Sequence, residues 1–113
     1  MYRPPYDLLD KIYFHLMSWT EQTRKFLYRK MNLFHSQRIL EIGCGTGRII
    51  EEIIAINPRI QVIGVDIDKD VLIYVIHNKD LPIDFLNASG EFLPFPDDFF
   101  DITLCNWLFI WLK

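Results

Sequence analysis

Three of the chain's five glycines lie at alternate positions within RILEIGCGTGRII, residues 38–50. Gly43, Gly45 and Gly47 follow a short apolar run and precede a segment with helical spacing. Glycine tolerates positive φ and has no Cβ, so the backbone of such a turn can approach a ligand closely. A helix that starts here directs free N–H groups to the same place. The segment therefore predicts a site for a carboxylate or a phosphate, because an ordinary turn would need only one glycine.

An acidic residue ends the next predicted strand, QVIGVDI (61–67). If the two strands are parallel neighbours, the carboxylate of Asp66 lies beside the glycine turn, where it can accept both hydroxyls of a ribose. The pattern thus favours a ligand that combines a ribose with a small polar group. Asp66 could instead cap the helix that follows it.

Strands and helices alternate after residue 37. Apolar runs at 38–42, 61–67 and 83–88 and within 94–106 predict four strands, and helical spacing predicts helices over 47–57 and 68–78. Asn57-Pro58 ends the first of these helices, and Asp68 and Asp70 lie in the first turn of the second. The alternation predicts an α/β fold with a parallel sheet and right-handed crossovers.

Two further helices are predicted before the sheet. The first covers 7–17, and the second starts at a capping box formed by Ser18 and Glu21 and runs to about Leu33. Helical spacing predicts buried faces for both, comprising Leu8, Leu9, Ile12, Tyr13 and Leu16 in the first and Phe26, Leu27, the Lys30 stem and Met31 in the second.

Composition narrows the class of protein. The chain has 113 residues and is 50% hydrophobic, which predicts one folded domain. Its net charge of −3 predicts no general attraction to nucleic acid. Residues 1–36 are nevertheless basic and the remainder is acidic, which favours a solvated helix face over a binding patch. Two distant cysteines, no metal-binding cluster and no apolar run of about 20 residues predict a cytoplasmic protein without a metal site or a membrane span.

Two nucleotide-binding signatures do not fit. The dinucleotide fingerprint G-x-G-x-x-G needs a glycine where Arg48 stands, and a P-loop needs G-K-[ST]. The pattern E-x-G-x-G-x-G instead resembles motif I of the class I S-adenosylmethionine-dependent methyltransferases. VIGVDIDKDVL is similar to the second motif of that family, and NASGEFLPFPDDFFDITLCN resembles its third motif and fourth strand. The resemblance covers residues 38–110.

This resemblance implies a Rossmann-like three-layer sandwich with strands one to four of the usual seven. Residues 1–36 would form an accessory lid segment, and residues 37–113 would form part of the cofactor-binding domain. S-adenosyl-L-methionine would be the cofactor: the glycine loop would meet its methionyl group, Asp66 its ribose, and Ile67, Ser89 and Gly90 its adenine. The implied cofactor-binding residues are Glu41, Gly43, Cys44, Gly45, Gly47, Asp66, Ile67, Ser89, Gly90 and Asn106.

The resemblance also limits the acceptor. Base-amino methyltransferases carry prolines after an Asp or Asn at the end of the fourth strand, whereas Trp107 and Leu108 follow Asn106 here. GEFLPFPDD resembles members that act on small molecules, so a small, partly apolar acceptor is expected rather than nucleic acid. Residues 2–19 would close over it, and no general base can be assigned.

The chain stops soon after the predicted fourth strand. An uncovered fourth strand would expose an edge that is prone to aggregation. A second copy or another partner is therefore expected to cover it, unless the chain is a piece of a longer protein. The alternative function is a non-catalytic methyltransferase-like module that acts by binding a partner.

Overall fold

The computed structural model describes residues 5–105, which form a parallel sheet and its helices. The strands are ordered β3-β2-β1-β4, and every neighbouring pair is parallel. This arrangement confirms the predicted Rossmann-like α/β fold with four strands preceded by helices. The elements are α1 (Tyr6–Trp19), α2 (Glu21–Lys30), a 3-10 helix (Leu33–His35), β1 (Arg38–Ile42), α3 (Arg48–Ile56), β2 (Gln61–Asp66), α4 (Lys69–Asn78), β3 (Asp84–Asn87) and β4 (Ile102–Leu104).

The core lies between the sheet and α3. The strand register places Ile39 of β1 beside Val62 of β2 and Ile102 of β4. These side chains are buried together with Ile50 and Ile53 of α3. Each such aliphatic side chain contributes about 1.5–3 kcal/mol on burial, so this contact fixes α3 on the sheet.

The predicted capping box is wrong. Ser18 lies inside α1, and its hydroxyl donates a hydrogen bond to the carbonyl of His15 (2.6 Å). Serine commonly makes such a bond to a carbonyl one turn back, which lets the helix continue to Trp19. Thr20 occupies the N-cap position of α2, where its side chain makes no capping hydrogen bond.

The predicted buried face of α2 is also wrong for Phe26 and Leu27, although Met31 packs against the core. Phe26 and Leu27 are 51% and 46% exposed, whereas α2 buries Arg24 and Tyr28. Both buried side chains donate to Glu52 of α3: Arg24 through Nε (2.8 Å) and Nη2 (3.0 Å), and Tyr28 through its hydroxyl (2.7 Å). The ion pair between Arg24 and Glu52 therefore determines which face of α2 is buried. The helix ends at Lys30, and Leu33 starts the 3-10 helix instead of ending α2.

Helix α1 buries an acid among its apolar residues. Leu9 and Tyr13 are buried as predicted, but Leu8 and Ile12 are exposed and Asp10 takes a place in the buried stripe. The Asp10 carboxylate accepts two hydrogen bonds from Arg48 (2.9 and 2.8 Å) and one from Lys79 Nζ (2.7 Å). Burial raises the pKa of Asp10, but the hydrogen bonds from Lys79 and Arg48 outweigh it and hold the pKa below its usual value.

Some sequence-based expectations concern properties beyond the fold. No helix within residues 5–105 is long and apolar enough to cross a bilayer. No group of three or more metal-ligating side chains occurs in this same part of the chain. Strand β4 is one edge of the described sheet. The division between residues 36 and 37, the cytoplasmic location and the covering of β4 by a second copy or another partner stay predictions.

Replacing Asp10 tests whether its charge holds α1 in place. Asp10→Asn keeps the side-chain shape but leaves Arg48 and Lys79 without the Asp10 carboxylate. We expect a loss of about 1–3 kcal/mol in the free energy of unfolding, because the hydrogen bonds to Asp10 lose their charge while Glu51 still lies beside both partly buried cations. Urea denaturation measures it. Asp7→Asn is the matched control, an exposed acid on the same helix, and should change stability by less than about 0.5 kcal/mol.

The same pair of proteins gives a pH test. The native pKa of Asp10 lies below its unfolded value, so its stabilisation is present at neutral pH and above the unfolded pKa of about 3.9. It is lost as pH falls through the native pKa. The stability difference between the unmodified chain and Asp10→Asn should therefore shrink in acid. A difference that grows in acid would contradict the role of the ionised carboxylate.

Candidate cofactor site

The glycine loop between β1 and α3 uses left-handed backbone at all three glycines. The φ angles of Gly43, Gly45 and Gly47 are 73°, 53° and 84°. The N–H groups of Gly43 and Cys44 both donate to the carbonyl of Val65 (2.7 and 3.0 Å), which fastens the loop to the carboxyl end of β2. Gly47 is the N-cap residue of α3. Residues with a Cβ are strained at such angles, so the three glycines are required by the path of the chain.

Asp66 holds the same loop through its side chain. One carboxylate oxygen accepts from the N–H of Gly45 (2.9 Å), and the other accepts from the N–H of Asp68 (2.9 Å). The expected placement of Asp66 beside the glycine turn is therefore confirmed. Asp68, not Asp66, is the N-cap of α4, since its side chain accepts from the N–H groups of Asp70 and Val71. The ribose-binding role of Asp66 stays a prediction.

Two predicted residues lie beneath the loop. Glu41 of β1 is 1% exposed, and Cys44 is buried with its sulfur close to Gly64 of β2. Burial raises the pKa of the Cys44 thiol, and the negative charges of Glu41 and Asp66 act in the same direction. The thiol therefore stays protonated and is a poor nucleophile. Any contact of Cys44 with a cofactor is expected to come from its backbone.

The remaining predicted residues border the loop from the side of β3. Ile67 is 73% exposed, and its carbonyl accepts from the amide of Asn87 (3.1 Å). A Cβ added to Gly90 would lie 2.8 Å from Cγ2 of Ile42, so the segment after β3 abuts the end of β1. The Ser89 hydroxyl accepts from the N–H of Glu91 (3.2 Å). The ends of β1 and β2 and the segment after β3 thus meet at one edge, while Asn106 lies outside the described residues.

Helix α1 brings two tyrosines to the site that the sequence did not assign to it. The ring of Tyr13 lies 3.8 Å from the position of a Cβ on Gly45, so α1 packs over the glycine loop. The hydroxyl of Tyr6 donates to Asp68 (2.7 Å). The feature of the sequence that could have indicated this packing is Asp10. It is an acid on the otherwise apolar stripe of α1, and it lies one turn from each of the two tyrosines. Residues 6–19 belong to the predicted lid, and its closing over an acceptor stays a prediction.

The described geometry suits a cofactor that carries an amino acid group and a ribose. Positive-φ glycines leave a backbone cradle without side chains, an acid lies beside it, and an exposed isoleucine adjoins that acid. Residues 39–113 match the family model described as a methyltransferase domain. The chain belongs to the methyltransferase domain family. This match confirms the family resemblance that the glycine motif, the second motif and the third motif indicate.

Curated relatives act on chemically different acceptors, judging from their names. The chain is 33% identical over 77 residues to a malonyl-[acyl-carrier protein] O-methyltransferase of Bacillus cytotoxicus, covering 67% of this chain and 27% of that one. It is 36% identical over 97 residues to the ubiquinone/menaquinone biosynthesis C-methyltransferase UbiE of Syntrophotalea carbinolica, covering 80% and 39%. It is 39% identical over 74 residues to the ribosomal RNA small subunit methyltransferase A of Persephonella marina, covering 66% and 25%.

A solved structure shares the fold. The plantazolicin methyltransferase BpumL, solved with a desmethyl-plantazolicin analogue and SAH, matches with a TM-score of 0.63 at 20% identity. The match covers 88% of this chain and 38% of BpumL. The chain therefore spans between a quarter and two-fifths of the length of the relatives compared.

The two cysteines offer a test of how tightly the loop is packed. Cys105 is exposed and Cys44 is buried with a raised pKa, so a thiol reagent should modify Cys105 rapidly and Cys44 slowly. We expect the rates to differ by at least about tenfold in the folded chain, because Cys44 must be both uncovered and deprotonated. The two rates should become similar in urea. Equal rates in the folded chain would contradict the packing of Cys44 beneath the loop.

Proposed function

We propose that the chain binds S-adenosyl-L-methionine and forms the cofactor-binding part of a methyltransferase. The observation that carries this proposal is the Asp66 carboxylate, which is held beside a loop of three left-handed glycines at the carboxyl edge of a parallel sheet. Ligands of open parallel sheets bind at this edge. The SAH bound to BpumL, a protein of the same fold, supports the same cofactor class.

The predicted residues within the described part of the chain have roles that their positions support. The backbone of residues 43–47 would hold the methionyl group, Asp66 the ribose hydroxyls and Ile67 one face of the adenine. Ser89 and Gly90 would border the adenine edge. Glu41 would orient the glycine loop from beneath and bond, directly or through water, toward the methionine ammonium. The cofactor supplies an activated methyl group, so the protein mainly aligns the acceptor and excludes water.

The proposed acceptor is small and partly apolar. Besides Ile67, which is assigned to the adenine, two large apolar side chains are exposed on segments that adjoin the site: Phe14 on α1 and Phe92 after Gly90, at 56% and 80% exposure. Such a grouping favours an apolar ligand over a phosphate backbone. The quinone-pathway relative supports this acceptor class, whereas the ribosomal RNA relative makes RNA the alternative to test.

Cofactor binding is tested with Asp66→Asn. Asparagine retains an oxygen that can accept from Gly45, but it lacks the charge that strengthens hydrogen bonds to ribose hydroxyls. We expect SAH affinity to fall about 10–100-fold, since hydrogen bonds to a charged group contribute roughly 1.5–3 kcal/mol. Isothermal titration calorimetry measures this change.

Asp70→Asn is the matched control, an exposed acid in the first turn of α4. It should bind SAH within about twofold of the unmodified chain. Equal affinities of the Asp66 and Asp70 variants would contradict the ribose role, and tighter binding of NAD than of SAH would contradict the cofactor assignment.

The acceptor class is tested by transfer of a labelled methyl group. The chain, or any longer polypeptide that contains it, is incubated with labelled cofactor and separate pools of lipid extract, small metabolites, RNA and DNA. We expect label in the lipid or metabolite pool, because apolar side chains adjoin the site. Label confined to RNA or DNA would overturn the proposed acceptor while leaving the proposed cofactor intact.

A further inference from the structure

A cavity lies near the amino ends of the strands, whereas the glycine loop lies at their carboxyl ends. Its volume is about 360 Å³, and residues from α2, the 3-10 helix and the end of α3 line it. The 3-10 helix precedes β1, whereas the glycine loop follows β1. Five residues of β1 separate the two places, roughly 13 Å at about 3.3 Å per residue step. The cavity is therefore distinct from the proposed cofactor site.

A buried asparagine shapes one wall of this cavity. The side-chain amide of Asn57 donates to the carbonyls of Leu33 (3.0 Å), Phe34 (3.4 Å) and Ser36 (3.1 Å). Asn57 is 8% exposed and is the C-cap residue of α3. These contacts tie the 3-10 helix, which lines the cavity, to the end of α3.

The lining combines an apolar wall with cations. Tyr28, Leu33, Phe34 and Ile56 supply apolar surface, and Phe34 is 71% exposed. Lys25 and Arg29 are also lining residues, and none of the lining residues is acidic. Lys25 is shared with Glu21, which lies 3.1 Å away, so Arg29 is the stronger candidate to meet an external anion.

We propose that this cavity binds an anionic amphiphile, with its hydrocarbon chain against Leu33, Phe34 and Ile56 and its carboxylate or phosphate at Arg29. An apolar ligand would cover the exposed Phe34, and an acidic head would neutralise the positive rim. Guanidinium and carboxylate form strong charge-assisted hydrogen bonds, which gives the head group a defined partner. Lys25 and Arg29 belong to the basic segment 1–36, so part of its positive charge would serve to bind the head group.

The probe is decanoate at concentrations below micelle formation. Decan-1-ol has the same chain without the charge, and decyltrimethylammonium has a comparable chain with the opposite charge. Isothermal titration calorimetry should detect decanoate and give at least about tenfold weaker binding for both other compounds, because each lacks the charge-assisted contact. Amide NMR shifts should occur at residues 32–35 and 56 and not at residues 43–47.

Arg29→Gln is the decisive variant, and Lys30→Gln is its control. Both residues are exposed and basic and lie on α2, but Lys30 does not line the cavity and instead lies over the ring of Phe26. Arg29→Gln should weaken decanoate binding about tenfold, and Lys30→Gln by less than about twofold. Ile56→Phe should also weaken it by occupying the cavity. SAH affinity, measured in each variant, should not change, so a failure here is distinguishable from a failure of the proposed cofactor.

Three results would overturn the proposal. The first is equal binding of decanoate and decan-1-ol, which would remove the role of the charge. The second is equal weakening by Arg29→Gln and Lys30→Gln, which would indicate a diffuse surface effect. The third is binding to anionic phosphatidylglycerol vesicles without binding to monomeric decanoate, which would indicate a membrane surface instead of a cavity.

Discussion

The hydrogen bond from the Gly45 N–H to the Asp66 carboxylate is the contact on which the site depends. It can form only because β1 and β2 are parallel and in register up to Ile42 and Val65, so that both strands end at one edge. The left-handed glycines then turn the chain back over β2 before α3 begins. A change in strand register would separate the glycine loop from Asp66 and so remove this hydrogen bond.

The sequence predicted this half of the molecule well because local signals there agree with the tertiary structure. β1 has the predicted bounds, and α3 ends at Ile56, where Asn57-Pro58 was expected to stop it. Strands buried in a parallel sheet are nearly continuous apolar runs, so their pattern does not depend on knowing which face meets which neighbour. The glycines carry a conformational requirement that is visible without any partner.

The N-terminal helices were predicted less well because their buried faces include charge. A helical apolar stripe identifies a face only when apolar residues are the ones that become buried. In α2, Arg24 is buried against Glu52, 28 residues later in the chain, and in α1, Asp10 is buried against Arg48, 38 residues later. No pattern within either helix contains these partners, so Phe26 and Leu27 were wrongly assigned to the core.

These charges also determine how α1 lies over the proposed cofactor site. One residue of an α-helix corresponds to a rotation of about 100°, so a shift by one position replaces Asp10 by Leu9 or Lys11. Leu9 would leave Arg48 and Lys79 with the Glu51 carboxylate alone, and Lys11 would add a third positive charge. Apolar contacts of Leu9 and Tyr13 can hold α1 against the domain but tolerate several rotations, whereas the bidentate contact of Asp10 with Arg48 allows one. That one rotation places Tyr13 over Gly45 and Tyr6 against Asp68, so the ion pair sets how α1 covers the glycine loop.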